Sequence, residues 1–294
     1  MASTYRSAEA RAAVLASYDQ RLATLARIHP LEARTVHTHH GPTHVLLMGP
    51  VDGPGLVVLH GANADAVQMA TPLGSLAERH RCVFVDVPGE PNRSCETPIP
   101  LTGTAAGTWL GELLDALGLP RVALWGMSGG GYVALRAATT IPDRVERLVL
   151  VVPAGFVPMG SIPEPTAANA RALVEVLTGP SSGLPPAAVE QTVAHMRLVL
   201  GAIRDPFHLA GPLFTPAELA SVAAPTLLGA GGSDAIFPGA ALLERARMVL
   251  PALAETVLLP EANHIHLDWV FDGPFLDVAR PFLYRFVMTK GSER

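Results

Sequence analysis

Gly126-Met127-Ser128-Gly129-Gly130 follows the apolar run Arg121 to Trp125 without a break and leads into the Ala-rich, helix-prone stretch Tyr132 to Thr140. A serine set between a buried strand and a helix must turn through a tight angle, and flanking glycines remove the Cβ atoms that would strike neighbouring strands. The hydroxyl then stands exposed at the carboxyl edge of a sheet. Because the helix begins at once, the backbone N–H of Gly129 lacks an intrahelical acceptor and is aimed at charge developing beside Ser128. The same glycines in an ordinary strand-helix turn would carry no chemistry, so the reading depends on the partners the rest of the chain supplies.

Outward from this turn, helical and extended patterns alternate. Gln68 to Arg79 reads as helix, Cys82 to Val87 as strand, Gly103 to Leu117 as helix, Val122 to Trp125 as strand, Gly130 to Thr140 as helix and Val145 to Val152 as strand. That rhythm predicts an α/β fold with a mostly parallel, doubly wound sheet. Leu56 to Leu59 is a short continuous apolar run, the pattern of a strand buried on both faces. Ahead of it, Ala33 to His39 and Thr43 to Met48 around Gly41-Pro42 predict an antiparallel hairpin at one edge. Val14, Leu15, Tyr18, Leu22, Leu25 and Ile28 recur at helical spacing and predict an outer helix within residues 1–30.

The rhythm breaks at Pro153. Residues 155–222 hold two helical patterns, near 166–178 and 186–203, with prolines between them and no strand signal. They are assigned to a helical cap inserted into a core of residues 1–154 and 223–294. The sheet resumes at Pro225 to Ala230, followed by a helix near 239–250, a strand at Glu255 to Leu259 and a closing helix from Phe275 to Thr289.

A chain of 294 residues with 49% hydrophobic content can bury one large core. Its net charge is −5 and it has no Lys/Arg cluster, so nucleic acid and anionic membrane surfaces gain no electrostatic foothold. The expected partner is a small molecule. The opening residues carry charges throughout and show no central apolar block, and no apolar run approaches membrane-spanning length, which points to the cytoplasm. A mean hydropathy of +0.31 fits a large core, and the expected state is a monomer or a homodimer. Cys82 and Cys95 fit neither a metal spacing nor a disulfide framework.

A serine hydroxyl needs a positioned base, and the base needs an orienting acid. After the strand near 226–230 comes Gly231-Gly232-Ser233-Asp234, and after the strand near 256–259 comes Pro260-Glu261-Ala262-Asn263-His264. Ser128, Asp234 and His264 therefore form a candidate nucleophile, acid and base, each just past the carboxyl end of a predicted strand. The rivals are His266 as base and Asp268 or Glu261 as acid. The second oxyanion donor is assigned to the N–H of Ala62, in His60-Gly61-Ala62-Asn63 beyond the third strand, alongside that of Gly129.

Other candidates read more plainly. His60 is expected to bond loop backbone, and Asp86 to cap the loop that follows its strand. The set His37, His39, His40 and His44 invites a metal, but alternation puts His37 and His39 on a solvent-side edge strand with no Cys or carboxylate set nearby. The glycines around Ser128 do not make a dinucleotide-binding G-x-G-x-x-G. No metal and no cofactor are expected.

With these residues in place, the chain resembles the α/β-hydrolase superfamily over nearly its whole length outside the cap. The motifs that carry the likeness are His60-Gly61, Asp86, Gly126-Met127-Ser128-Gly129-Gly130, Asp234 and His264. The opening helix with Gly41-Pro42-Thr43-His44-Val45, Gly49-Pro50-Val51-Asp52-Gly53-Pro54-Gly55 and Leu59-His60-Gly61-Ala62 is similar to bacterial carboxylesterases of the naproxen-esterase type. The likeness implies the eight-stranded hydrolase sheet and cofactor-free hydrolysis of carboxylic esters. The chain departs from the family in the loop Pro88 to Ser94, which lacks the second glycine common there, and in Asn263, which stands where a glycine is usual.

Met127, Phe156, Met196, Ile236 and Phe237 are the expected substrate-binding residues, and an apolar lining of this kind suits hydrophobic, uncharged esters. Such a constellation also serves thioester, lactone and carbon-carbon bond hydrolysis, perhydrolysis and lyase chemistry, because it defines the nucleophile and leaves the electrophile open. A hydrolase-like ligand receptor or biosynthetic accessory protein is the reading of a different class.

Overall fold

The structure is a computed structural model and describes residues 3–209, 211–269 and 273–285. Helix α1 (Ala8–Ile28) leads into β1 (Leu31–Thr38), β2 (Gly41–Met48) and β3 (Gly55–Leu59). Then come α2 (Ala66–Leu73), β4 (Arg81–Val85), α3 (Ala105–Ala116), β5 (Val122–Met127), α4 (Gly129–Thr140) and β6 (Val145–Val151). Helices α5 (Ala170–Thr178), α6 (Pro186–Ala202) and α7 (Pro216–Leu219) occupy the insertion that follows. Strand β7 (Thr226–Gly231), α8 (Gly239–Val249), β8 (Leu253–Leu259) and α9 (Pro274–Tyr284) complete the order.

The eight strands form one sheet in the order β1-β2-β4-β3-β5-β6-β7-β8. Strand β2 runs antiparallel to both of its neighbours, and every other pairing is parallel. This is the α/β fold with a mostly parallel sheet that the alternation predicts. Successive strand residues face opposite sides, so Val57, Val83, Val85, Val122 and Leu124 enter one core while Leu56, Cys82, Phe84, Ala123 and Trp125 enter the other. Helices α3, α4 and α8 cover the first core, and α1, α2 and α9 the second. The inner strands β3 and β5 are apolar throughout because both faces are covered, whereas the edge strands β1 and β8 are mostly exposed or half-buried.

Local differences from the sequence reading have physical causes. The hairpin turns at His39-His40, two residues before the expected Gly41-Pro42, because Gly41 opens β2 and Pro42 lies beyond the stretch Val45 to Met48 that bonds to β4, where its missing N–H breaks no ladder. The helix expected over 68–79 stops at Leu73 and tightens into a 3-10 turn, Gly74–Glu78, with Pro72 and Gly74 both weakening helical continuation. The expected end of the last helix, residues 286–289, lies outside the described residues. Among the described residues no helix is long and apolar enough to cross a membrane.

The insertion is tied down from two sides. Leu173, Val174, Leu177, Val193, Met196 and Leu200 join the core above α4. At its far end Tyr5 bridges to Ile203 as a short antiparallel pair, and Tyr5, Val14, Val199, Ala202 and Ile203 form a small core of their own. Arg21 of α1 forks onto Asp65 (3.0 and 2.6 Å), the N-cap of α2.

His195 of α6 faces this Arg21–Asp65 pair with both ring nitrogens sealed from solvent and without a hydrogen-bond partner. Burial, and then the Arg21 charge, hold its pKa down to about 4 against the opposing pull of Asp65. The folded protein therefore keeps His195 neutral while the unfolded chain protonates near pH 6.5, so stability is lost as pH falls from about 6.5 toward 4. Between pH 7 and pH 5 the wild type is expected to lose at most about 2 kcal/mol more than His195→Leu. Urea unfolding at the two pH values measures this, and identical losses in both proteins would contradict it.

Candidate active site

Ser128 stands between β5 and α4 with φ 53° and ψ −120°, a backbone region that a residue with a side chain enters only when the surroundings enforce it. They do so by close packing. A Cβ on Gly130 would lie 2.3 Å from the Leu59 carbonyl oxygen and 2.4 Å from that of His60. One on Gly126 would lie 2.6 Å from the Gly130 carbonyl oxygen. The Ser128 N–H donates to the Val151 carbonyl (2.9 Å), and the Ser128 carbonyl accepts from Gly131, Tyr132 and Ala154. Next to it Val152 is also left-handed, at φ 41°, so the carboxyl edge of the sheet holds two strained residues side by side.

Ser128, Asp234 and His264, separated by up to 136 positions, meet in one hydrogen-bonded row. His264 Nε2 lies 3.0 Å from Ser128 Oγ, and His264 Nδ1 lies 2.9 Å from Asp234 Oδ2. Asp234 follows β7, and its other oxygen, Oδ1, accepts from the N–H groups of Ile236 (2.7 Å) and Phe237 (3.1 Å). The carboxylate can only accept, so the imidazole carries its proton on Nδ1 and offers the Nε2 lone pair to the Ser128 hydroxyl. Asp234 and His264 are buried, 4% and 5% exposed, so little solvent competes for these bonds.

His264 is held from both sides. The Asn263 amide donates to the Ser233 carbonyl (3.0 Å), Trp269 Nε1 donates to the Asn263 carbonyl (3.0 Å), and the Ile265 N–H donates to Leu177 in the insertion. The Asn263 side chain also lies against Gly179, where a Cβ would come within 2.2 Å of it, so this departure from the family pattern fills space between loop and insertion. The rival base His266 turns elsewhere, with Nε2 on the Ser181 carbonyl and Nδ1 3.4 Å from Asp268. That contact also occupies the rival acid Asp268.

His60 bonds loop backbone on both sides, as the sequence suggested. Its Nδ1 lies 2.8 Å from the Gly61 carbonyl and its Nε2 accepts from the Val87 N–H (3.0 Å). Burial lowers its pKa, in keeping with this neutral tautomer. Asp86 accepts from Ala66 and Arg93 and approaches His44 Nδ1 at 3.1 Å, so it organises loops and does not reach Ser128's row. Among the described residues no group of three or more His, Cys, Asp or Glu side chains could hold a metal ion.

Ser128, His264, Ala62 and Gly129 line one cavity of about 30 Å³. Ile236 and Phe237, both expected there, line it too, while Met127, Phe156 and Met196 do not. Met127 packs on the opposite face of the sheet, and Phe156 and Met196 are consumed by the packing of the insertion onto the core. The remaining wall comes from Ala154, Met159, Ile162, Leu173, Leu177, Phe207 and Leu209. Met159, Ile162 and Leu209 lie outside helices, so no periodicity in the sequence marked them. Leu209 presses on the turn at Ser128, its Cβ 2.5 Å from where a Cβ on Gly129 would stand.

Comparison with known proteins agrees with this architecture. Residues 56–280 match the model of the alpha/beta hydrolase family. The carboxylesterase YbfK of Bacillus subtilis is 28% identical over 263 residues, covering 85% of this chain and 86% of the relative. A second Bacillus subtilis protein, the uncharacterized carboxylesterase nap, is 28% identical over 244 residues, or 78% and 79% of the two chains. The crystal structure of carboxylesterase CesB (YbfK) superposes with a TM-score of 0.78 at 26% identity, covering 96% of this chain and 99% of the other. That of the Bacillus subtilis naproxen esterase superposes at 0.73 with 24% identity, covering 92% and 96%.

Proposed function

This chain belongs to the alpha/beta hydrolase family, and on that premise we propose that it is a carboxylesterase, cleaving hydrophobic, uncharged esters through an acyl-enzyme. The observation that carries the reading is the 3.0 Å contact between Ser128 Oγ and an imidazole whose far nitrogen is held 2.9 Å from a buried carboxylate. In this arrangement His264 Nε2 takes the Ser128 proton as Oγ attacks the ester carbonyl. Asp234 stabilises the imidazolium that forms. The N–H groups of Ala62 and Gly129 donate to the oxyanion of the tetrahedral intermediate. His264 then passes the proton to the leaving alcohol, and a water activated the same way frees the acid.

Among the described residues, the walls around Ser128 carry no Lys or Arg, so an acidic substrate would bury a charge without a partner. The cavity is small, about 30 Å³, so bulky acyl groups need Met159, Ile162 or Phe207 to move aside. Residues 155–222 thus serve as a cap whose position decides access. We also propose that it acts on small molecules in the cytoplasm as a monomer or homodimer.

The test uses p-nitrophenyl acetate and butyrate against the p-nitrophenyl monoester of succinate, together with labelling by a fluorophosphonate. The uncharged esters should exceed the anionic one in kcat/KM by about tenfold or more, and one adduct should appear on the peptide containing Ser128. Labelling without turnover would favour a receptor, and absence of both would end the esterase reading.

A further inference from the structure

The loop after β4 carries a carboxyl group that the chemistry above does not use. Glu90 is 1% exposed, and its Oε2 accepts the backbone N–H of Asn63 at 2.5 Å. Asn63 immediately follows Ala62, one of the two assigned oxyanion donors, and is itself left-handed at φ 60°. The other oxygen, Oε1, is buried without a hydrogen-bond partner and lies 3.3 Å from Nδ1 of His208, in the segment between α6 and α7. His208 stands between Phe207, another left-handed residue at φ 67°, and Leu209, which presses on Gly129. One carboxyl group thus touches the segment that positions Ala62 and the segment that roofs Ser128.

We propose that Glu90 is a positioning residue for the esterase reaction: it clasps the oxyanion loop at Asn63 to the cap at His208, holding the Ala62 N–H in place and the pocket closed. The inference rests on the esterase reading for its consequence in catalysis, though the clasp itself stands on geometry alone. The Asn63 contact is a hydrogen bond and the His208 contact is a polar approach without one, so the clasp is firm toward the oxyanion loop and loose toward the cap. A cap that must yield to admit substrate needs that asymmetry.

The protonation of the pair follows from its surroundings. Burial drives the Glu90 pKa up to about 8, the Asn63 N–H opposes this, and the Asp205 charge adds to it. Burial lowers the His208 pKa against the pull of Asp205, and His60 pushes it the same way as burial. Near neutral pH both partners are therefore uncharged, with Oε2 accepting from Asn63 and Oε1 in polar contact with His208. Above about pH 8 the carboxyl ionises and sets a buried negative charge beside the loop that must stabilise an oxyanion, a repulsion that slows the acylation step.

The experiment compares wild type with Glu90→Gln, Glu90→Asp and Glu90→Ala in kinetics and amide hydrogen exchange. Glutamine reproduces the protonated state, its oxygen on Asn63 and its NH₂ toward His208, and it cannot ionise. Wild-type kcat for p-nitrophenyl butyrate should fall about tenfold between pH 7 and pH 9.5, with KM changing little, whereas Glu90→Gln should lose this alkaline limb. The same limb in both proteins would overturn the proposal. Exchange at Asn63 and across 207–209 should speed up about tenfold or more in Glu90→Ala and in the shorter Glu90→Asp, and stay at the wild-type rate in Glu90→Gln. Unchanged exchange in Glu90→Asp also refutes the clasp, and this arm decides it even if Glu90→Ala does not fold. A wild type without ester turnover would remove the esterase reading, and the exchange arm would still decide whether the clasp exists.

Discussion

Ser128→Ala is expected to reduce kcat for p-nitrophenyl butyrate by about 10³-fold or more while the protein melts within a few degrees of wild type. The reasoning is geometric. Ser128 Oγ lies 3.0 Å from His264 Nε2 at the cavity floor, so its removal takes away the nucleophile and leaves the imidazole facing the pocket. Alanine keeps the Cβ, which lies 3.2 Å from where a Cβ on Gly61 would stand, and accepts the same strained backbone between Gly126 and Gly130. Binding should therefore survive, and KM should change far less than kcat. Steady-state kinetics with a thermal melt on the same preparation measures both, and residual turnover above one-tenth of wild type would remove Ser128 from the mechanism.

Asp234→Asn is expected to cost about 10⁴-fold in kcat through the tautomer of His264. The direction follows from the turn that Asp234 caps. Its Oδ1 accepts two backbone N–H groups, from Ile236 and Phe237, so an asparagine must keep its carbonyl oxygen there and turn its NH₂ toward His264 Nδ1. A donor facing Nδ1 forces the imidazole proton onto Nε2, where it points at Ser128 and leaves no lone pair to take the hydroxyl proton. The cap of the turn is kept, so stability should hold while the chemistry stops. Activity within tenfold of wild type would show that Asp234 does not orient the base, while parallel losses of stability and rate would point to a purely structural role.

Much of the fold was legible because its causes are local. A parallel sheet buried on both faces writes short apolar runs such as Leu56 to Leu59 and Leu148 to Val151, and helices between them write a longer period. Ser128, Asp234 and His264 were legible for a related reason, since each lies just beyond the carboxyl end of a strand and is flanked by small or loop-forming residues. The wall of the pocket was not. Met196 and Phe156 look the same in sequence as Leu173 and Leu177, yet the first two are spent on joining insertion to core and the other two reach the cavity. Glu90 was equally silent, because a carboxyl in a loop reads as solvated until tertiary contacts bury it.

By itself, then, the order of residues along the chain determined the sheet, the strained turn at Ser128 and the identity of the three groups that could act there. Those depend on backbone sterics and periodicity over a few residues, which any short window of sequence contains. Only tertiary structure decided that His264 and not His266 faces the serine, which apolar side chains enclose it, and that Glu90 bonds Asn63 and lies against His208. Direction and burial at those positions come from segments distant in sequence packing on one sheet edge, and no local rule in the sequence carries that information.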